Sequence, residues 1–258
     1  MNTHAVAIGG KIAEPISSDR SAALIDRTLS IDAVRGLAML LVCFSHFGIT
    51  YFATSGALSY ANVSRLMGLP ASAIFILLSG VTIGFLRQRS GERFIKQRLK
   101  CVDRGLFLLL PGHLIILAAH YWVGLRIGPG THWVFITDAI GVCLIVGPYL
   151  ISETSGGVRA CIGVALITLS WWLYLNWYPV GGTAQVIKAI LTGAWSAGVV
   201  FPIMPWLGAF LIATPIGEQF ALRQGKSRLY FLGALAALFF VGGAIAHLAS
   251  HRPCDFFR

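Results

Sequence analysis

The chain has 258 residues, of which 56% are apolar and 12% charged, with a formal net charge of +10 and a mean hydropathy of +0.75. Its apolar runs are too long and too many for cores that short helices or strands could share, which excludes a soluble globule. The positive balance does not point to nucleic acid, because Arg87, Arg89, Arg93, Lys96, Arg98, Lys100 and Arg104 all fall in one stretch between two apolar segments. Short cytoplasmic loops of polytopic proteins accumulate Lys and Arg in this way. Cys43, Cys101, Cys143, Cys161 and Cys254 show no CxxC or metal spacing, so neither disulfides nor a metal site is expected.

The N-terminal residues are polar and mixed in charge (Lys11, Glu14, Asp19, Arg20, Asp26, Arg27) and contain no apolar h-region. A cytoplasmic tail without a cleaved signal is expected over residues 1–30, followed by one transmembrane domain over 31–258. Seven apolar segments can then be drawn in order, at 36–53, 69–86, 105–125, 133–151, 157–177, 199–217 and 229–248. Each approaches the ~20 residues of a spanning helix. The moderately apolar stretch 184–200 reads as a half-helix or an eighth span, and Gly181-Gly182 and its WSAG weaken the spanning reading.

The expected fold is therefore all-α, a polytopic membrane helix bundle of about seven transmembrane helices (six to eight), with the N-terminus cytoplasmic. Charge counting agrees with that layout. The expected inner connections hold the basic stretch 87–104, expected to be a loop, then Arg159, then Arg223, Lys226 and Arg228. The outer ones hold Arg65, Arg126 and Lys188, as a positive-inside bias requires. Tyr121, Trp122, Trp133, Trp177, Tyr178 and Trp195 fall at outer boundaries, like an interfacial aromatic belt. Proline inside spans (Pro111, Pro148, Pro202, Pro205, Pro215) implies kinks, and freed carbonyls at membrane depth need protein or a wet cavity beside them.

Arg35 and His46 stand eleven residues apart in the first apolar segment. In a helix that spacing is about 16 Å of rise and three turns plus roughly 20°, so both lie on one face. Arginine then marks the inner entrance and histidine the middle of the membrane, where an ionisable side chain is a functional hypothesis by default. Ser79, His113 and Asp138 are further polar groups inside spans. Each has a plainer reading: a helix contact at Ser79-Gly80, an interhelical strut at His113, a cap at Asp138, a snorkelling anchor at Arg35.

The segment SIDAVRGLAMLLVCFSHF, with Arg35 and His46, resembles the opening motif of the transmembrane acyltransferase superfamily. That superfamily includes the acyltransferase-3 membrane proteins and the heparan-α-glucosaminide N-acetyltransferase-like proteins. IFILLSGVTIGFL is similar to its second-helix FxxxSG element, carried by Phe75, Ser79 and Gly80, with Ile76 where a second phenylalanine often sits. The basic stretch running into RGLFLLLPGHL resembles the arginine-rich turn that follows. FPIMPWLGAFLIATPIG is similar to the FPxxPWLG segment of the heparan-acetyltransferase-like branch, at Phe201, Pro202, Pro205, Trp206 and Gly208. The pieces occur in the same order and cover about 31–113 and 133–217. Members usually have ten or so spans, so a short or C-terminally truncated member is expected.

The resemblance implies a membrane-bound acyltransferase, with acyl-CoA, acetyl-CoA foremost, as co-substrate and no metal. The implied acceptor is a hydroxyl or amine of a cell-envelope carbohydrate or glycolipid, and the implied location a bacterial inner (plasma) membrane. His46 and Arg35 would be catalytic, His46 as general base in a direct transfer or as carrier of the acyl group and Arg35 orienting the donor, with Ser79, His113, Asp138 and Trp206 supporting or binding substrate. Arg87, Arg89, Arg93, Arg98 and Arg104 would hold the phosphates of CoA by charge-assisted bonds. Two other readings are a transporter or lipid-binding protein with a His46–His113–Asp138 relay, and a degenerate family member.

Overall fold

A backbone that crosses lipid must satisfy its own N–H and C=O groups, and the α-helix does so within one segment. The computed structural model describes the backbone of residues 18–54, 58–122, 134–193 and 201–223, with scattered positions from 225 to 237. Side chains are described for 31–48, for 51, and within those ranges from 71 onward apart from His120. No strand occurs among the described residues. The helices are α1 (Ser18–Thr54), α2 (Leu58–Ser90), α3 (Phe94–Phe107), α4 (His113–Trp122), α5 (Ile136–Glu153), α6 (Gly156–Asn176), α7 (Gly182–Thr192) and α8 (Ile203–Leu222). The chain divides into two compact units, Met1–Ala71 and Ser72–Arg258.

In the first unit, α1 is a single helix of 37 residues that begins inside the expected polar tail. Small residues, Ala38 and Ser45, are buried, whereas Leu37, Met39, Leu40, Phe44, Phe47 and Tyr51 are exposed. A continuous apolar surface of this kind suits lipid rather than water.

In the second unit the helices alternate in direction. α2 and α8 run parallel, since a Cβ built on Gly80 would strike the carbonyl of Phe210 and one on Gly84 that of Thr214. α6 runs antiparallel to α8 and crosses it tightly: a Cβ on Gly163 would lie 2.6 Å from the Gly208 carbonyl, and the converse contact is also 2.6 Å. α3 and α5 are antiparallel through Gly105 and Gly141. Ile76, Ile83, Phe94, Cys143, Ile151 and Phe210 form the core between them. The C-terminal ends of α2, α5 and α8 therefore meet the N-terminal ends of α3 and α6.

Two departures from the sequence expectation bear on function. The basic stretch is not a loop. Arg87 and Arg89 sit in the last turn of α2, a three-residue 3-10 turn at Gly91–Arg93 reverses the chain with Gly91 at φ 50, and Lys96, Arg98 and Arg104 belong to α3. Arg, Lys, Gln and Glu are good helix formers, so only the glycine, free to take positive φ, breaks the run. Secondly, α3 passes into α4 through a π-helical turn, Leu108–Gly112, containing Pro111. Proline supplies no N–H, and the widened turn accommodates its ring where an unbroken α-helix would clash.

Four described stretches are long and apolar enough to cross a membrane: Ile31–Gly48, Ala71–Ala119, Ile136–Glu153 and Gly156–Asn176. The second contains the reversal at Gly91 and so covers two of the expected spans. α8 fits the expectation at 199–217 as a helix but is not among the four; Glu218 and Gln219 lower its apolar character. α7 has 11 residues, about 16 Å, too short to span. The expected span 229–248 falls mostly outside the described residues, as do Arg126, Trp133 and Trp195.

Candidate functional site

Because α1 is continuous, the spacing of Arg35 and His46 on one face holds. Arg35 Nη1 lies 3.7 Å from Asp32 Oδ1, one turn earlier. Both groups are well exposed, and such a pair contributes little to stability. The His46 ring is also exposed.

In the second unit, α3–α4 and α5 bring two expected residues together. His113 Nδ1 lies 2.9 Å from Asp138 Oδ2, and the same oxygen accepts the backbone N–H of Phe135 at 2.7 Å. Asp138 occupies the first turn of α5, where the helix dipole favours its negative charge. It is 5% exposed, and its Oδ1 has no hydrogen-bond partner among the described residues. The Phe135 ring stands 5.2 Å from the imidazole. The π-helical turn immediately precedes His113; such bulges are frequent at functional sites. In the tautomer protonated at Nδ1, the ring donates to the carboxylate and Nε2 keeps its lone pair.

Ser79 is turned inward along its own helix: Oγ donates to the Phe75 carbonyl at 2.7 Å. Its neighbour Gly80 abuts α8, so the SG pair forms a helix seam. Trp206 is half-buried, with its ring 6.2 Å from that of Phe201, and it packs on the core.

Of the five expected phosphate-binding arginines, Arg87 and Arg98 line a cleft where the five helix ends meet. Its volume is about 860 Å³, and Phe94 and Ser152 line it too, with Glu92 and Glu153 also on its wall. Arg98 lies over the Tyr149 ring, 4.5 Å from its centroid, and its Nε is buried without a hydrogen-bond partner among the described residues. Arg89 lies 5.2 Å over Phe85. Arg93 and Arg104 are exposed and do not line the cleft.

Sequence reasoning missed the network beneath this cleft. Arg159, fully buried, donates from Nε to Thr214 Oγ1 at 3.0 Å, from Nη1 to the carbonyls of Ile151 and Thr154 at 3.3 and 2.5 Å, and from Nη2 to Glu218 Oε1 at 2.5 Å. The same Glu218 oxygen accepts Arg87 Nη1 at 2.7 Å. Arg159 thus satisfies the orphan carbonyls at the end of α5 while its charge is balanced from α8. The only signal in the sequence was an acid beside an apolar run and an arginine at a helix start.

The comparisons with known proteins agree with the motifs. The family model described as "Heparan-alpha-glucosaminide N-acetyltransferase, catalytic" matches residues 27–247, a range that takes in Arg35, His46, His113, Asp138, the basic stretch and Trp206. No curated protein and no solved structure matches. With its apolar helices, the chain is an integral membrane protein of the acetyltransferase class and belongs to the heparan-α-glucosaminide N-acetyltransferase catalytic family.

Proposed function

We propose that the protein transfers an acetyl group from cytoplasmic acetyl-CoA to a hydroxyl or amine of a cell-envelope carbohydrate. The observation that carries the donor assignment is the cleft at the basic end of the second unit, where Arg87 and Arg98 line one wall and Arg89, Arg93, Lys96 and Lys100 lie close by in sequence. Guanidinium groups bind phosphates by short, charge-assisted pairs. The carboxylates of Glu92 and Glu153 are exposed, so water screens them more than it screens the half-buried Arg87 and Arg98.

His46 is the base of a direct transfer. Its imidazole takes the proton from the acceptor oxygen or nitrogen as that atom bonds to the thioester carbonyl carbon. The C–S bond then breaks, and the proton passes to the departing thiolate. Arg35, on the same helical face and about 16 Å along the axis, orients the donor. Within the second unit, His113 Nε2 and Asp138 Oδ1 are acceptors suited to an O–H or N–H of a carbohydrate. Trp206 stiffens the neighbouring packing.

The test uses acetyl-CoA labelled in the acetyl group, incubated with membranes holding or lacking the protein, with mass spectrometry of envelope glycans from cells with and without the gene. Protein-dependent transfer of label to a glycan is expected. Identical glycan spectra together with no transfer of label overturn the reading.

A further inference from the structure

We propose that Glu218 is a positioning residue for the donor: pinned from beneath by Arg159, it holds Arg87 against the wall of the cleft. The inference rests on reading that cleft as the place of the donor's phosphates. The network contains two guanidinium groups and one carboxylate, and the cations are not equivalent. Arg159 is fully buried and engages Nε, Nη1 and Nη2 with Thr214, two carbonyls and Glu218, so it turns no donor toward the cleft. Arg87 retains 32% side-chain exposure, lines the cleft, and meets Glu218 through Nη1.

One carboxylate oxygen therefore divides its attraction between a structural arginine and one facing the cleft, and the assembly keeps a surplus positive charge. A long arginine side chain at a cleft wall samples many rotamers; a charged bond through one nitrogen fixes its plane and leaves the remaining N–H groups to a ligand. Thr214 completes the device from below. Its hydroxyl accepts from Arg159 at 3.0 Å and donates to the Leu211 carbonyl at 2.8 Å, so the position of Glu218 is referred to the backbone of α8. The ligand class is a phosphate-bearing nucleotide.

The experiment uses the full chain in lipid nanodiscs, with acetyl-CoA and 3′,5′-ADP as probes; the latter keeps the 3′-phosphate and the first 5′-phosphate of CoA without the thioester arm. Glu218→Asp keeps a counter-charge for Arg159 and withdraws the carboxylate by about one C–C bond from Arg87. Arg159→Met with Glu218→Gln removes the buried charges together, so that neither is stranded. Both variants, like Arg87→Gln, are expected to weaken 3′,5′-ADP binding about tenfold and to raise the acetyl-CoA KM in step, with kcat within threefold. If Arg87→Gln weakens binding while both Glu218 variants stay within twofold of the parent, the positioning role is overturned and the donor site stands. If neither Arg87→Gln nor Arg98→Gln weakens binding, the donor site itself is overturned. A fall in kcat with KM and 3′,5′-ADP affinity unchanged makes Glu218 a packing residue only.

Discussion

In the proposed mechanism the chemistry turns on His46, whose exposed position on α1 separates that role from folding. An alanine at 46 is easier to insert in lipid than an imidazole, so His46→Ala should assemble like the parent. A positioned acid–base group contributes about 10²–10⁴-fold, and acetyl transfer by the variant is expected to fall by at least that lower factor in a labelled acetyl-CoA assay; turnover within tenfold of the parent would count against any proton-transfer or acyl-carrier role. Arg35 and Arg89 give a paired test. A guanidinium that orients a donor cannot be replaced by an ammonium without losing its two-pronged geometry. Arg35→Lys should keep expression and topology yet raise the acetyl-CoA KM or remove activity, whereas Arg89→Lys, over the Phe85 ring, should do neither. Equal, mild effects at both would make Arg35 a snorkelling anchor. Asp138→Asn can keep an amide oxygen on both the Phe135 N–H and His113 Nδ1, so α5 stays capped, but it removes the negative charge beside the imidazole. The rate at neutral pH should drop at least tenfold with thermal stability little changed, and an unaltered pH–rate profile would reduce the pair to a strut.

At the scale of elements, glycine decides which helices can touch. A Cβ at Gly84 would overlap the Thr214 carbonyl and one at Gly217 that of Val81, whereas Gly157 has nothing within 4 Å. Backbone carbonyls cannot swing aside as a side-chain tip can, and overpacking costs about 1–3 kcal/mol. Gly84→Ala should therefore lower the unfolding temperature of the purified protein by several degrees while Gly157→Ala leaves it unchanged, and equal melting of the two would refute the close α2–α8 seam. The same scale shows what the sequence could and could not convey. The apolar run drawn at 157–177 lies almost residue for residue on α6, because length and hydropathy alone set a helix of membrane-crossing length. The seam itself was half-legible, as an SG pair of small residues. The helical basic stretch was not, since helix formers and cytoplasmic charge carry the same letters. His113 and Asp138 could each be singled out as polar groups in apolar runs; their contact depends on the antiparallel register of α3–α4 against α5. Arg159 and Glu218 are 59 residues apart, and only the α6–α8 crossing makes them a pair.

For the molecule as a whole, the donor reading depends on which side of the membrane the arginine-lined cleft faces. Helix direction alternates from α2 through α3–α4, α5, α6 and α8, which places Arg87, Arg98, Arg159 and Glu218 at one end of the second unit and the His113–Asp138 pair toward the other. About twenty ångströms separate the two along α5, from Asp138 to Ser152, at 1.5 Å per residue. Lys and Arg concentrate on the cytoplasmic side of short connections, and acetyl-CoA is a cytoplasmic metabolite too polar to cross lipid. Both arguments favour the same proposed orientation, with the cleft inward and the His–Asp pair toward the outer leaflet, the side of the proposed envelope acceptor. A reporter fused after Arg98 should therefore read cytoplasmic, and one fused after His132, in the segment between α4 and α5, should read external. The prediction is sharp because the two fusion points are separated by a single pass, so no rearrangement of other spans can give both readings by accident. The opposite pair of signals would turn the cleft away from its donor, and the donor site together with the Glu218 device would have to be abandoned, while membership of the family, which rests on residues 27–247, would stand.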